Sequence, residues 1–90
     1  MTDPFRLRYD SSSDVLYVSL GQAEPAYGEE GDAPGLVWRY RDADDVLIGV
    51  TVMDFRAYWK PRFAKLLSEF SEHFGISQAR VRKALDELSH

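Results

Sequence analysis

The chain contains no cysteine. That absence excludes a disulfide framework and any thiolate metal site, and it fits a reducing compartment. Histidine is almost as scarce, with only His73 and His90 present. A metal centre would therefore need carboxylates from several elements. The densest acidic run, Asp42-Ala43-Asp44-Asp45, reads as a turn without the glycine and distal glutamate of a calcium loop. There is no phosphate-cradling glycine loop and no nucleophile elbow. No catalytic residue, cofactor or metal is expected, and the chain does not read as an enzyme. No apolar run approaches the roughly 20 residues of a membrane-spanning helix. The opening Met1-Thr2-Asp3-Pro4-Phe5-Arg6 lacks the basic-then-apolar order of an export signal. A cytoplasmic protein with no membrane contact is the expectation.

What the chain does have is apolar content. At 44% hydrophobic and 13% aromatic, its 90 residues suit one small globular domain spanning 1–90, with too little chain for two cores. The net charge of −4 argues against non-specific affinity for nucleic acid. That charge is unevenly spread. Residues 1–59 carry five Arg and Lys against eleven Asp and Glu, a balance of −6, whereas residues 60–90 carry six against four, a balance of +2.

The acidic part reads as β-structure. Leu7 and Tyr9 alternate with Arg6 and Arg8, the period of a strand with one buried face. Val15 to Leu20 is apolar on both faces and reads as a central strand, joined to the first by a polar turn of Asp and Ser. Gly21 to Gly35 reads as a long connection holding at most a short edge strand near Tyr27 to Glu30. Leu36 to Arg41 and Val46 to Asp54 are the remaining strands. The short links between strands favour antiparallel pairing.

The basic part reads as two helices. Pro61 suits a first helical turn, and Phe63, Leu66, Leu67, Phe70 and Phe74 follow at helical spacing. Gly75 is placed to end this helix in the left-handed conformation, and Ser77 to cap the next, whose stripe is Val81, Ala84, Leu85 and Leu88. The fold class is α+β: a four- or five-stranded antiparallel β-meander (5–54) followed by two C-terminal α-helices (60–89).

The strands resemble the small bacterial domain-of-unknown-function 2283 family over about residues 5–54. The matching pieces are Tyr9-Asp10, Asp14-Val15-Leu16-Tyr17-Val18-Ser19-Leu20, Glu29-Glu30, Pro34-Gly35 and Ile48-Gly49-Val50. The resemblance implies a compact antiparallel sheet, often followed by a helix, with no assigned activity. Some members look like partners in toxin–antitoxin gene pairs, which implies an antitoxin-like protein partner. Asp45 stands where the resemblance implies a hairpin glycine. Arg39 and Arg41 stand at implied acidic positions, and Thr51 at an implied glutamate.

Three sets of residues are candidates for function. The segment Ser71 to Val81 resembles a helix-turn-helix, which would present Ser77, Gln78, Arg80, Arg82 and Lys83 to DNA. An ordinary helical hairpin with a glycine stop and a serine cap explains the same residues. Arg6, Arg8, Arg39 and Arg41 fall on one sheet face with Val15 and Tyr17. That face reads either as a basic binding surface or as a set of ion pairs with Glu24, Glu29, Glu30 or Asp32. Tyr58 and Trp59 form an interface if exposed and a core anchor if not. The leading expectation is a non-catalytic protein-binding module, homodimeric because two short helices do not easily cover both faces of an apolar sheet. The alternative is a DNA-binding regulator.

Overall fold

Alternation along the chain becomes a five-stranded sheet covered on one side by helices. The computed structural model describes residues 5–21 and 24–88; Met1 to Pro4, Gln22, Ala23, Ser89 and His90, with the side chains of Phe5 and Leu88, lie outside that description. Strand β1 (Phe5–Asp10) pairs antiparallel with β2 (Val15–Leu20), setting Tyr9 opposite Leu16 and Leu7 opposite Val18. The turn between them is held by the Asp10 carboxylate, which accepts the Ser12 N–H at 3.0 Å and its hydroxyl at 2.6 Å. The edge strand foreshadowed near Tyr27 is present as β3 (Ala26–Glu30). It is followed by β4 (Leu36–Arg41) and β5 (Leu47–Met53).

All pairings are antiparallel, but the order across the sheet is β1-β2-β5-β4-β3. The chain is therefore not an unbroken meander. The link from β2 to β3 must cross three strand spacings, about 14 Å, and residues 21–25 in extended form reach roughly that far or further. Once β3 is laid down at the far edge, β4 and β5 fold back by short turns until β5 meets β2. A bulge lies in β5, where Leu47 pairs with Tyr40 and Gly49 with Arg39, leaving Ile48 unpaired.

The inward residues Leu16, Val18, Leu36, Trp38, Val50 and Val52 are buried on one face. Over them the chain winds from a π-helical turn (Phe55–Trp59) through a 3₁₀ turn (Lys60–Arg62) into α1 (Phe63–Phe74) and α2 (Gln78–Leu88). Pro61 thus sits at the start of the 3₁₀ turn that precedes α1 rather than in the first turn of α1, a place where its missing N–H is equally harmless. Leu66, Leu67 and Phe70 of α1 and Val81 and Leu85 of α2 complete the core. Phe70 meets Trp38 edge-on with centroids 6.4 Å apart, which seats α1 over β4, while α2 lies beside β1. Gly75 ends α1 at φ 69°, and its N–H donates to the Ser71 carbonyl at 3.0 Å. Ser77 Oγ then accepts the Arg80 N–H at 3.2 Å, capping α2.

Candidate functional site

Two features stand out on this frame: a polar clamp at one end of the sheet, and the sheet face the helices leave open. The clamp begins with Asp14, which closes the β1–β2 turn at φ 56°. Its carboxylate accepts the Tyr9 hydroxyl at 2.7 Å and the backbone N–H groups of Arg56 at 2.8 Å and Ala57 at 3.1 Å. Its carbonyl accepts the Phe55 N–H at 3.1 Å. The π-helical turn starts at Asp54, whose own side chain makes no cap, so Asp14 caps it from across the fold. These bonds, the Arg56 N–H first and Tyr9 second, hold the Asp14 carboxyl below its ordinary range, and the same contact raises Tyr9. A carboxylate so fully committed as an acceptor is a poor general base. The clamp's chemistry is structural.

The open face is built from the other half of each strand's alternation. One row crosses the whole sheet in register: Arg8 beside Tyr17, Tyr17 beside Thr51, Thr51 beside Val37, and Val37 beside Glu30. It has a cation at one edge, an anion at the other, and Tyr17 and Val37 flanking a central Thr51. Arg8 lies over the Tyr17 ring, 4.6 Å from its centroid. Tyr17 is 36% exposed and neighbouring Met53 46%, and among the described residues no helix packs on this side.

Arg6, Arg8, Arg39 and Arg41 do share this face, yet they do not form one cluster. Arg6 and Arg39 belong to one row but stand three strands apart, about 14 Å by strand spacing. Arg41 is neutralised by Glu24 at 2.8 Å and Asp44 at 2.6 Å. The guanidinium holds the Asp44 carboxyl below its usual range. Among the described residues, Glu29, Glu30 and Asp32 make no ion pair with these arginines.

The helical candidates are divided. Ser77, Gln78, Arg80, Arg82 and Lys83 are exposed, but Arg82 turns toward the Phe63 ring, 5.7 Å from its centroid. It thus leaves the face of α2 that carries Lys83. At 100° per residue Arg80 and Arg82 emerge on opposite flanks of the helix, and Asp86 and Glu87 sit four residues from Arg82 and Lys83. Trp59, offered as an interface residue if exposed, is 0% exposed and fills the core. Tyr58 is half-buried, with its ring under Arg62 at 4.0 Å and against Trp59 at 5.0 Å. Among the described residues, no group of three or more His, Asp or Glu gathers to hold a metal ion. No described helix is long and apolar enough to cross a membrane.

The family described as "Protein of unknown function (DUF2283)" matches residues 6–56. The chain belongs to this family. No curated protein and no solved structure matches it.

The DUF2283 stretch holds nearly all of the sheet and ends at Arg56, so Asp14 and its donors Tyr9, Phe55 and Arg56 lie inside it, with Ala57 the next residue beyond. Tyr9 and Asp14, among the pieces that carry the resemblance, are donor and acceptor in that clamp. Gly49 is a further such piece with a steric cause. A Cβ there would stand 2.5 Å from the Val18 carbonyl oxygen, so only glycine lets β5 approach β2. Asp45, in place of the implied hairpin glycine, adopts φ 59°, a conformation that aspartate tolerates better than most residues. The clamp itself was not anticipated from the sequence. Its only local signal was an aspartate at the end of a serine-rich turn.

Proposed function

We propose that this DUF2283 protein is a cytoplasmic, non-catalytic binding module that works as a homodimer, with the open faces of two sheets packed together. The observation that carries this reading is the row Arg8, Tyr17, Thr51, Val37, Glu30. A two-fold axis parallel to the strands sets Arg8 of one copy against Glu30 of the other, with Tyr17 against Val37 on either side and Thr51 facing its own copy at the axis. In the next row the same operation sets Arg6 against Gly28 and Arg39 against Ser19, so no like charges meet. An axis perpendicular to the strands would oppose Arg8 to Arg8. Sandwiches of this kind are a common way to dry a sheet face.

Sedimentation equilibrium at micromolar concentration tests the dimer. Arg8→Glu and Glu30→Arg are each expected to weaken association roughly tenfold or more, and the two together to restore it. A monomeric wild type, or a double variant no better than either single, overturns the arrangement.

A second reading, DNA binding through α2, is favoured by the three-residue turn Gly75-Ile76-Ser77 with its glycine stop and serine cap. Fluorescence anisotropy with mixed-sequence duplex DNA at low salt reads it directly. Binding that falls steeply with salt and is lost in Arg80→Ala with Lys83→Ala supports this reading. No binding at low salt removes it.

A further inference from the structure

On the helix-covered side of the sheet, away from the proposed dimer face, lies a cavity of about 430 Å³ between β1, the π-helical turn and the two helices. Its apolar surface is Tyr9, Phe55, Phe63 and Leu85. Phe55 leans on Tyr9, with centroids 5.6 Å apart and the planes tilted by 59°. The Tyr9 hydroxyl is spent on Asp14, so that residue offers the cavity chiefly its ring.

The rim is cationic. Arg56, Lys60 and Arg82 all line the cavity, against a single lining carboxylate, Asp86. Arg56 lies over the Tyr9 ring at 5.1 Å and Arg82 over the Phe63 ring at 5.7 Å. Among the described residues none of the three cations has a carboxylate within ion-pair distance. Asp14 attracts Arg56, but its oxygens already accept three hydrogen bonds. Arg56 and Lys60 are also four residues apart on helical backbone, a spacing at which like charges repel. Three cations gathered on one concavity run against the net charge of −4.

We propose that this cavity binds a small amphipathic anion: a flat apolar body against Tyr9, Phe55 and Phe63, and one carboxylate or phosphate group between Arg56, Lys60 and Arg82. The volume lies within the range of small-molecule sites and is too small for a docked helix. Guanidinium groups stacked on aromatic faces suit both parts of such a ligand, since they pair with oxyanions and flank flat rings.

Naphthoate, naphthyl phosphate and the neutral naphthalenemethanol, titrated into the full chain and followed by amide chemical shifts, test the site. The anions are expected to bind at least roughly tenfold more tightly than the neutral compound, with shifts centred on residues 55–63 and 82–86. The tighter of the two anions identifies the headgroup. Lys60→Gln with Arg82→Gln should abolish that preference while the remaining spectrum stays dispersed, and Lys60→Gln alone should reduce it if the pair disturbs α2. Equal binding of anionic and neutral compounds, shifts centred elsewhere, an unaltered preference in the variants, or no saturation at millimolar concentration overturns the proposal.

Discussion

The carboxylate of Asp14 and the backbone N–H of Arg56 meet at 2.8 Å, although 42 residues separate them. This bond fastens the first hairpin turn to the start of the helical half, so loss of the acceptor should loosen both. Asp14→Asn keeps the size but replaces one acceptor oxygen with a donor, and a lower melting temperature is expected near neutral pH. The Asp14 pKa is lowered by folding, so its contribution is present above the unfolded carboxylate range and is lost as pH falls through the folded value. The gap between wild type and variant should therefore close toward acid. Circular dichroism melts at stepped pH read it, and a gap that persists or widens at low pH refutes the clamp's electrostatic part.

Gly49→Ala is expected to destabilise the fold by about 1–3 kcal/mol, the usual cost of overpacking a close contact. The added methyl would press on the Val18 carbonyl oxygen, a backbone atom fixed by the β2–β5 ladder. It cannot rotate aside as a side chain would. Urea unfolding should show a lower midpoint, and an unchanged midpoint would mean that the bulge in β5 absorbs the methyl.

Much of this architecture is local and so was visible in the chain. The first strand follows from the alternation of Leu7 and Tyr9 with arginines, the second from the apolar run Val15 to Leu20, and α1 from the spacing of Leu66, Leu67 and Phe70. Gly75 and Ser77 act as the stop and cap that their types suggest. What was hidden is non-local. Nothing in Gly21 to Pro25 states that the chain will pass β5's place and return to it, so the strand order was not legible. The π-helical turn had no side-chain period to reveal it, and its cap comes from Asp14 in another element. The same holds for the cationic cavity, whose rings and charges arrive from β1, the π turn and both helices. Trp59 was ambiguous because an aromatic in a linker fits burial and exposure equally well until the turn's direction is known.

Phe70→Ala should cost about 3–5 kcal/mol, a large share of the roughly 5–15 kcal/mol typical of a small domain. The ring is fully buried and meets both Trp38 and Phe74 edge-on, so its loss leaves a cavity where α1 crosses the sheet. Chemical denaturation followed by tryptophan emission reads the change. A loss below about 1 kcal/mol would show that α1 closes onto Trp38 without it.

Tyr27 gives a prediction at alkaline pH. On the edge strand β3 its ring stacks on Tyr40 at 5.6 Å, and its hydroxyl donates to Asp45 at 2.8 Å. That bond holds the proton on the phenol, which is pushed from 10.0 up to about 12. Because folding raises this pKa, the contact stabilises the fold fully below the unfolded tyrosine value and ceases to do so as pH rises through the folded one. Ultraviolet titration of the phenolates should show Tyr27 ionising late, alongside Tyr9, which the Asp14 contact also raises, and Asp45→Asn should move only the Tyr27 step back toward the ordinary value. Asp45 is also the residue at φ 59° in the β4–β5 turn, so Asp45→Gly separates its two roles. Glycine keeps the turn and removes the acceptor, and it should advance the ionisation without lengthening or unpairing β4 and β5. If Asp45→Gly leaves the late Tyr27 ionisation in place, the shift belongs to burial and the neighbouring Glu29 rather than to the hydrogen bond.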